Sequence, residues 1–163
     1  AGFYIWNRRT LEYWQHKLYS FCLPWELNAG EQRTLLSSCN KGFGEKIIYG
    51  HLPMMVTANC VVRTTSGCQS SDTTAYLTDR YKKQFPVAIN CSHCMNIIYN
   101  SVPLSLHATL DKWTNITHNR LDFTVEDKTQ TKRVLAYFTA PDRSNSSLPF
   151  TEYTTGHEKR GVE

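Results

Sequence analysis

The sequence predicts an α/β fold, a partial (half) β/α barrel built from four strand–helix units with a cysteine-bearing insertion after the third strand. Three observations carry that expectation. Short runs of aromatic and β-branched residues alternate with stripes of leucine and tryptophan at helical spacing. Such alternation implies parallel strands joined by right-handed crossovers. The chain has 163 residues, well short of the ~250 of a complete eightfold barrel.

The elements follow in order. Phe3–Asn7 predicts a strand, and Leu11, Trp14 and Leu18 mark a helix. Tyr19–Pro24 predicts a second strand, closed by proline. Asn28 and Glu31 form the Asn-x-x-Glu start of a helix that carries Leu35 and Leu36 and ends by Gly42 and Gly44. Ile47–Gly50 is the third strand. Within 60–100, Thr74–Asp79 and Gln84–Ile89 are the arms of a hairpin whose tip is Arg80-Tyr81-Lys82-Lys83. A helix is expected from Val102, with Leu104, Leu106, Leu110 and Trp113 on its stripe. Leu121–Val125 predicts the fourth strand and Glu126–Thr139 the last helix, followed by a Ser/Asn/Pro-rich loop over Ala140–Pro149. The whole, 1–163, is expected to be one domain, with 60–100 as its metal-binding insertion.

Composition is that of an ordinary globular protein, 40% hydrophobic and 20% charged, with a net charge of +4. That charge permits nucleic-acid contact without requiring it. No apolar run approaches the ~18 residues that cross a bilayer, and no signal peptide is recognisable, so a cytoplasmic protein without membrane partners is expected. The glycosylation-like triplets at Asn115 and Asn145 read as chance matches. The start at Ala1, inside an apolar stretch, suggests a fragment or a processed chain.

Six cysteines are too sparse for a disulfide scaffold. Cys22 and Cys39 sit in apolar or helical surroundings and read as small core residues. The other four, Cys60, Cys68, Cys91 and Cys94, are spaced Cys-x7-Cys-x22-Cys-x2-Cys. Four thiolates complete a first shell, and the two-residue gap lets both sulfurs of Cys91 and Cys94 face one ion. An iron–sulfur cluster and structural zinc both suit such a set. The loose Cys60/Cys68 pair favours the larger cluster, and His51 and His93 are candidate substitutes or supporting groups.

Polar residues follow the predicted strands: Asn7, Glu26, Asn28, His51 and Glu126. At a barrel mouth Glu26 and Glu126 would be acid–base groups. Helix capping explains Asn28, Glu126 and Asp127 equally well. Arg80, Lys82 and Lys83 beside Tyr81 suit phosphate contact and base stacking, or a solvated turn. His157 and Arg160 form a second basic patch in the tail. There is no nucleophile elbow and no His-Glu-x-x-His, so no proteolytic machinery is recognisable.

Tyr4-Ile5-Trp6-Asn7, Leu23-Pro24-Trp25-Glu26-Leu27-Asn28, Tyr49-Gly50-His51-Leu52-Pro53-Met54-Met55, Asn59-Cys60, Leu77-Thr78-Asp79-Arg80, Cys91-Ser92-His93-Cys94, Asn96–Ser101, Arg120–Thr124 and Gly156-His157-Glu158-Lys159-Arg160-Gly161-Val162-Glu163 stand in one order along the chain. In these motifs the chain resembles the C-terminal part of long bacterial members of the collagenase-like U-32 peptidase family. The resemblance implies a β/α barrel with added C-terminal elements. It implies kinship with proteins named for collagen degradation and with others that serve tRNA or ribosomal RNA hydroxylation or oxygen-independent ubiquinone synthesis. It also implies a 4Fe–4S cluster on Cys60, Cys68, Cys91 and Cys94, with zinc as the alternative. The expected partners are the N-terminal half of the same protein, or a second copy in a homodimer, and RNA. The fragment alone is expected to be inactive. The competing expectations are a metal-stapled, non-catalytic binding module and a metal-dependent peptidase.

Overall fold

The computed structural model describes residues 5–38, 44–68, 70–113, 116–143 and 145–160. Its elements are α1 (Arg8–Trp14), β1 (Phe21–Cys22), α2 (Ala29–Ser37), β2 (Gly44–Gly50), β3 (Pro53–Thr57), α3 (Val61–Ser66), β4 (Thr73–Thr78), β5 (Gln84–Asn90), β6 (Met95–Tyr99), β7 (Leu104–Ser105), β8 (His118–Asp122) and α4 (Lys128–Thr139). Helix and strand are mixed in two sheets, with no closed barrel among the described residues. By its contacts the chain divides into two compact units. The first is Ala1–Gly50, Leu104–Asp122 and Tyr153–Glu163; the second is His51–Pro103 and Phe123–Glu152.

In the first unit β2 is the central strand. It pairs in parallel with β1 and β8, and antiparallel with β7 on its last two residues. Because β8 follows one edge of β2 along most of its length, β1 and β7 share the other. Ile47, Ile48 and Tyr49 are all buried, the pattern of a strand covered on both faces. Gly50 (φ +151°) backs onto Asp122, whose carbonyl oxygen would lie 2.5 Å from an added Cβ. Glycine is what lets β2 and β8 meet there. Beside the sheet, Ile5, Leu11, Phe21, Leu23, Leu27, Leu35 and Leu36 form the core. α2 starts on the capping box that its sequence announces: Asn28 Oδ1 accepts from Glu31 N, and Glu31 Oε2 from Asn28 N.

Three expected elements differ. Phe3 and Tyr4 of the first predicted strand lie outside the described residues; Ile5 and Trp6 are irregular, and Asn7 caps α1 through Thr10 N. The helix expected from Val102 is instead β7 and one short turn at Leu110–Lys112. Leu104 and Leu106 lie two residues apart, the period of a strand, and β2 offers β7 an edge. The fourth strand is His118–Asp122, displaced towards the N-terminus, because β2 takes His118–Asp122 as its partners. Gly42 and Cys39 lie outside the described residues.

The second unit is an antiparallel sheet ordered β3-β6-β5-β4, with the predicted hairpin as its β4–β5 half. α4 turns Val134 and Tyr137 inward and is capped by Asp127, whose side chain accepts from Gln130 N.

One buried polar knot ties the tail into the first unit. The Lys46 side chain is only 4% exposed, and its ammonium donates to Glu158 Oε2 at 3.1 Å and to Gln32 Oε1. It also lies 3.9 Å from the centre of the Trp113 ring. Trp113 Nε1 donates to Glu158 Oε1, and Glu158 O accepts from Ala29 N at the start of α2. Burial holds Lys46 below its ordinary 10.5, and Glu158 opposes that shift. Glu158→Ala strands the buried charge and is expected to cost about 3–5 kcal/mol in urea denaturation, most of it recovered by adding Lys46→Met. The folded chain gives up this proton more readily than the unfolded chain. The deficit of the single variant therefore shrinks as pH rises towards 10.5. A loss of under ~1 kcal/mol would mean the pair behaves as a solvated one.

Candidate functional site

Antiparallel pairing places the ends of the second unit's strands together. β3 ends at Thr57, opposite Asn96 in β6. β4 begins at Thr73, opposite Ile89 in β5. Asn90 and Met95 close the turn between β5 and β6. Cys60 follows the end of β3, Cys68 precedes the start of β4, and Cys91 and Cys94 lie in the β5–β6 turn. All four expected ligands thus belong to loops at one end of one sheet.

Each thiol has a local setting. Cys60 is half-buried and caps α3, its sulfur accepting from Arg63 N at 3.5 Å. Cys68 is exposed, 3.8 Å from Ser70 Oγ. The Cys91 thiol donates to Ser71 O at 3.0 Å, and its amide donates to Asp72 Oδ1 at 2.8 Å. Cys94 is left-handed (φ 47°) and donates its amide to Cys91 O. A side chain in that conformation costs on the order of 1–3 kcal/mol, a strain that collects at functional turns. Desolvation raises the Cys91 pKa first, then the charge of Cys68, with a further push from Cys60. All five described cysteines are free.

The donor set fits a sulfur-ligated centre in kind: four free thiols in loops at one end of one sheet. The Cys91 and Cys94 thiols donate to the backbone oxygens of Ser71 and Cys91, and among the described residues no three His, Cys, Asp or Glu side chains are arranged to hold an ion. His93 serves its own turn, with Nδ1 3.0 Å from Asn90 Oδ1 and 3.1 Å from Ser92 Oγ.

The strand-end polar residues separate into two kinds. Asn7 and Asn28 are helix caps. Glu26 is half-buried in the first unit, whereas His51 and Glu126 meet in the second. His51 Nδ1 lies 2.7 Å from Asn100 O, an oxygen that can only accept, so Nδ1 carries a proton and donates to it. Nε2 lies 4.0 Å from Glu126 Oε1. Glu126 Oε2 accepts from Thr124 N at 2.9 Å and Val125 N at 3.1 Å, while Oε1 is buried with no hydrogen-bond partner. This carboxylate organises the turn that precedes α4.

The basic hairpin tip lies at the opposite end of the sheet. β4 spans six residues, so Arg80–Lys83 stand ~20 Å along the strand from the cysteine end. Asp79 Oδ1 organises the tip by accepting from Tyr81 N and Lys83 N, with Lys82 left-handed. The Arg80 guanidinium lies 4.7 Å from the centre of the Tyr81 ring. Lys83 pairs with Glu152 at 2.9 Å; Arg80 and Lys82 are the tip's other two cations. His157 is half-buried and Arg160 exposed, both in the first unit.

Sequence reasoning missed Asp72, Asn90 and Asn96 as residues that shape the cysteine loops. Their signal was proximity: each stands within a few positions of a cysteine. Comparison with models of protein families, with curated proteins and with solved structures finds no match.

Two predictions follow from these settings. Burial, then the charge of Glu45, pushes the Cys22 thiol up to about 11, whereas hydrogen bonds from the Ser70 backbone and hydroxyl lower Cys68. In the folded, metal-free chain iodoacetamide at pH 8 should label Cys68 early and Cys22 only after unfolding, as read by peptide mass mapping. Glu126→Ala leaves two backbone amides without their acceptor and should cost about 1–3 kcal/mol. Glu126→Gln, which keeps an acceptor oxygen, should melt close to the parent. Equal melting of both variants would remove the carboxylate from this structural role.

Proposed function

We propose that the chain is the C-terminal part of a U-32-family protein in which Cys60, Cys68, Cys91 and Cys94 hold a 4Fe–4S cluster, and that it serves hydroxylation of tRNA or ribosomal RNA. The observation that carries this reading is the gathering of four free cysteines at one end of the β3-β6-β5-β4 sheet. The ordered motifs and the adjacent parallel strands β1, β2 and β8 support it, since such strands are what an arc of a β/α barrel contains. The half barrel itself remains part of the proposal.

When bound, a 4Fe–4S cluster supplies one-electron chemistry. The chain's own residues hold and separate the parts. Cys94 closes the tight chelate, and the charge of a bound cluster would lie away from the hairpin tip. Arg80 and Lys82 would meet phosphates while Tyr81 offers a stacking face. His157 and Arg160 would add a second basic patch. The exposed edge strand β3, with Met54, Met55 and Val56 more than half exposed, supports association with the N-terminal half or a second copy. Among the described residues no helix is long and apolar enough to cross a membrane.

The ~20 Å between cysteines and tip also favours a second reading, in which the metal is a zinc staple and the sheet a non-catalytic binding module. Anaerobic purification with iron, sulfide and zinc analysis, repeated for Cys91→Ser, separates the two. Iron and sulfide with broad visible absorption, lost in the variant, are expected for the cluster. One colourless zinc per chain would make the site a staple, and no metal would sink both.

A further inference from the structure

We propose that Asp72 and Asn96 are the positioning residues of the cysteine site, each tying one cysteine-bearing loop to another beyond the point where the strand ladder stops. The inference rests on the reading that the four cysteines share a metal centre.

The ladder alone does not reach the cysteines. Its last pairs at this end are Thr57 with Asn96, Asn90 with Met95 and Thr73 with Ile89. Cys60 and Cys68 both lie farther out along the chain, in segments free to diverge. A side chain at each gap continues the alignment.

Asn96 spans the first gap. It is wholly buried on β6, two positions after Cys94. Its amide nitrogen donates to Thr57 O and Asn59 O, both at 3.3 Å. Two carbonyls on one side fix which way the amide faces, since its oxygen there would meet only acceptors. The turn that delivers Cys60 is thereby bound to the strand that leaves Cys94. The amide oxygen is buried with no partner, which costs about 1–3 kcal/mol. An apolar β-branched residue would avoid that cost and suit the strand. What it could not do is donate to two carbonyls of a neighbouring turn.

Asp72 spans the second gap. It stands between Cys68 and β4, and its Oδ1 accepts from Cys91 N at 2.8 Å. The Cys91 thiol donates to the carbonyl of the preceding residue, Ser71. The Cys68 loop is thereby bound to the turn that bears Cys91. Asn96 ties the turn before Cys60 to the strand after Cys94, and Asp72 ties the segment after Cys68 to Cys91. Between them the two side chains convert the wide x7 and x22 spacings into one neighbourhood. Asp72 is exposed, so its tie can be cut with little effect on the fold.

The test uses the full chain under anaerobic conditions, with zinc affinity measured by chelator competition and cobalt as a spectroscopic probe of thiolate ligation. Asp72→Ala should weaken zinc by about 10- to 100-fold and diminish the cobalt–thiolate band, with the metal-free melting curve unchanged. Asp72→Asn keeps the acceptor oxygen and should bind like the parent. Asn96→Ala should weaken zinc as well, with a lowered metal-free melting temperature because its site is buried. Parent-like binding by Asp72→Ala would overturn the inference while leaving the metal reading intact. Equal weakening in Asp72→Asn would also overturn it, by assigning the effect to charge. A parent chain that binds no metal through these cysteines would overturn both together.

Discussion

Antiparallel strands return the chain to the same end of a sheet at every second turn, and the second unit depends on that property. Cys60 and Cys94 are far apart in sequence, yet β3 and β6 pair Thr57 directly with Asn96. The x22 interval between Cys68 and Cys91 is filled by β4, the tip and β5, a hairpin that leaves the cysteine end and comes back to it. The long gap is therefore a there-and-back excursion and costs little closeness. Loop-closure entropy rises only slowly with length, and a paired hairpin offsets it with ladder hydrogen bonds.

The first unit solves a different problem. Its central strand is buried on both faces, and position 46 of that strand is a lysine. Replacing hydration of an ammonium takes a counter-charge, a carbonyl-type acceptor and a π-face together. Glu158, Gln32 and Trp113 supply the three. Each comes from a different part of the chain, so one buried charge holds the tail, α2 and the segment before β8 in register. Such a knot need not add net stability over an apolar core, but it penalises any packing that leaves one of its members unpaired.

Local chemistry in the sequence was the legible part. Asn28 with Glu31 marked a helix start, and the alternating arms around Arg80–Lys83 marked a hairpin; both stand where their residues place them. A capping box and a tight turn are decided within a few residues, so tertiary context has little to override. The segment from Leu104 to Trp113 was not legible in the same way. Its apolar positions suit a helical stripe, and only the free edge of β2, a long-range partner, makes β7 of Leu104 and Ser105. The displacement of the fourth strand to His118–Asp122 has the same origin. At the candidate site, residue type was readable and roles were not. Cysteines announce metal chemistry by themselves, but Asp72 and Asn96 are common residues whose work depends on which carbonyl or amide they reach.

The hairpin that brings Cys68 and Cys91 together also carries Arg80 and Lys82 to the far end of the sheet. These are consequences of one length. Shortening β4 and β5 would preserve the pairing at Thr73 and Ile89 while drawing the basic tip towards the thiols, and lengthening them would do the opposite. The separation of ~20 Å is more than two Debye lengths at physiological salt, ~8 Å each. Charge at the cysteine end is thus screened from the tip through solvent. On the proposed reading, a polyanion at Arg80 and Lys82 and a thiolate-bound metal would bind as electrostatically independent events, coupled only through the rigidity of the strands between them.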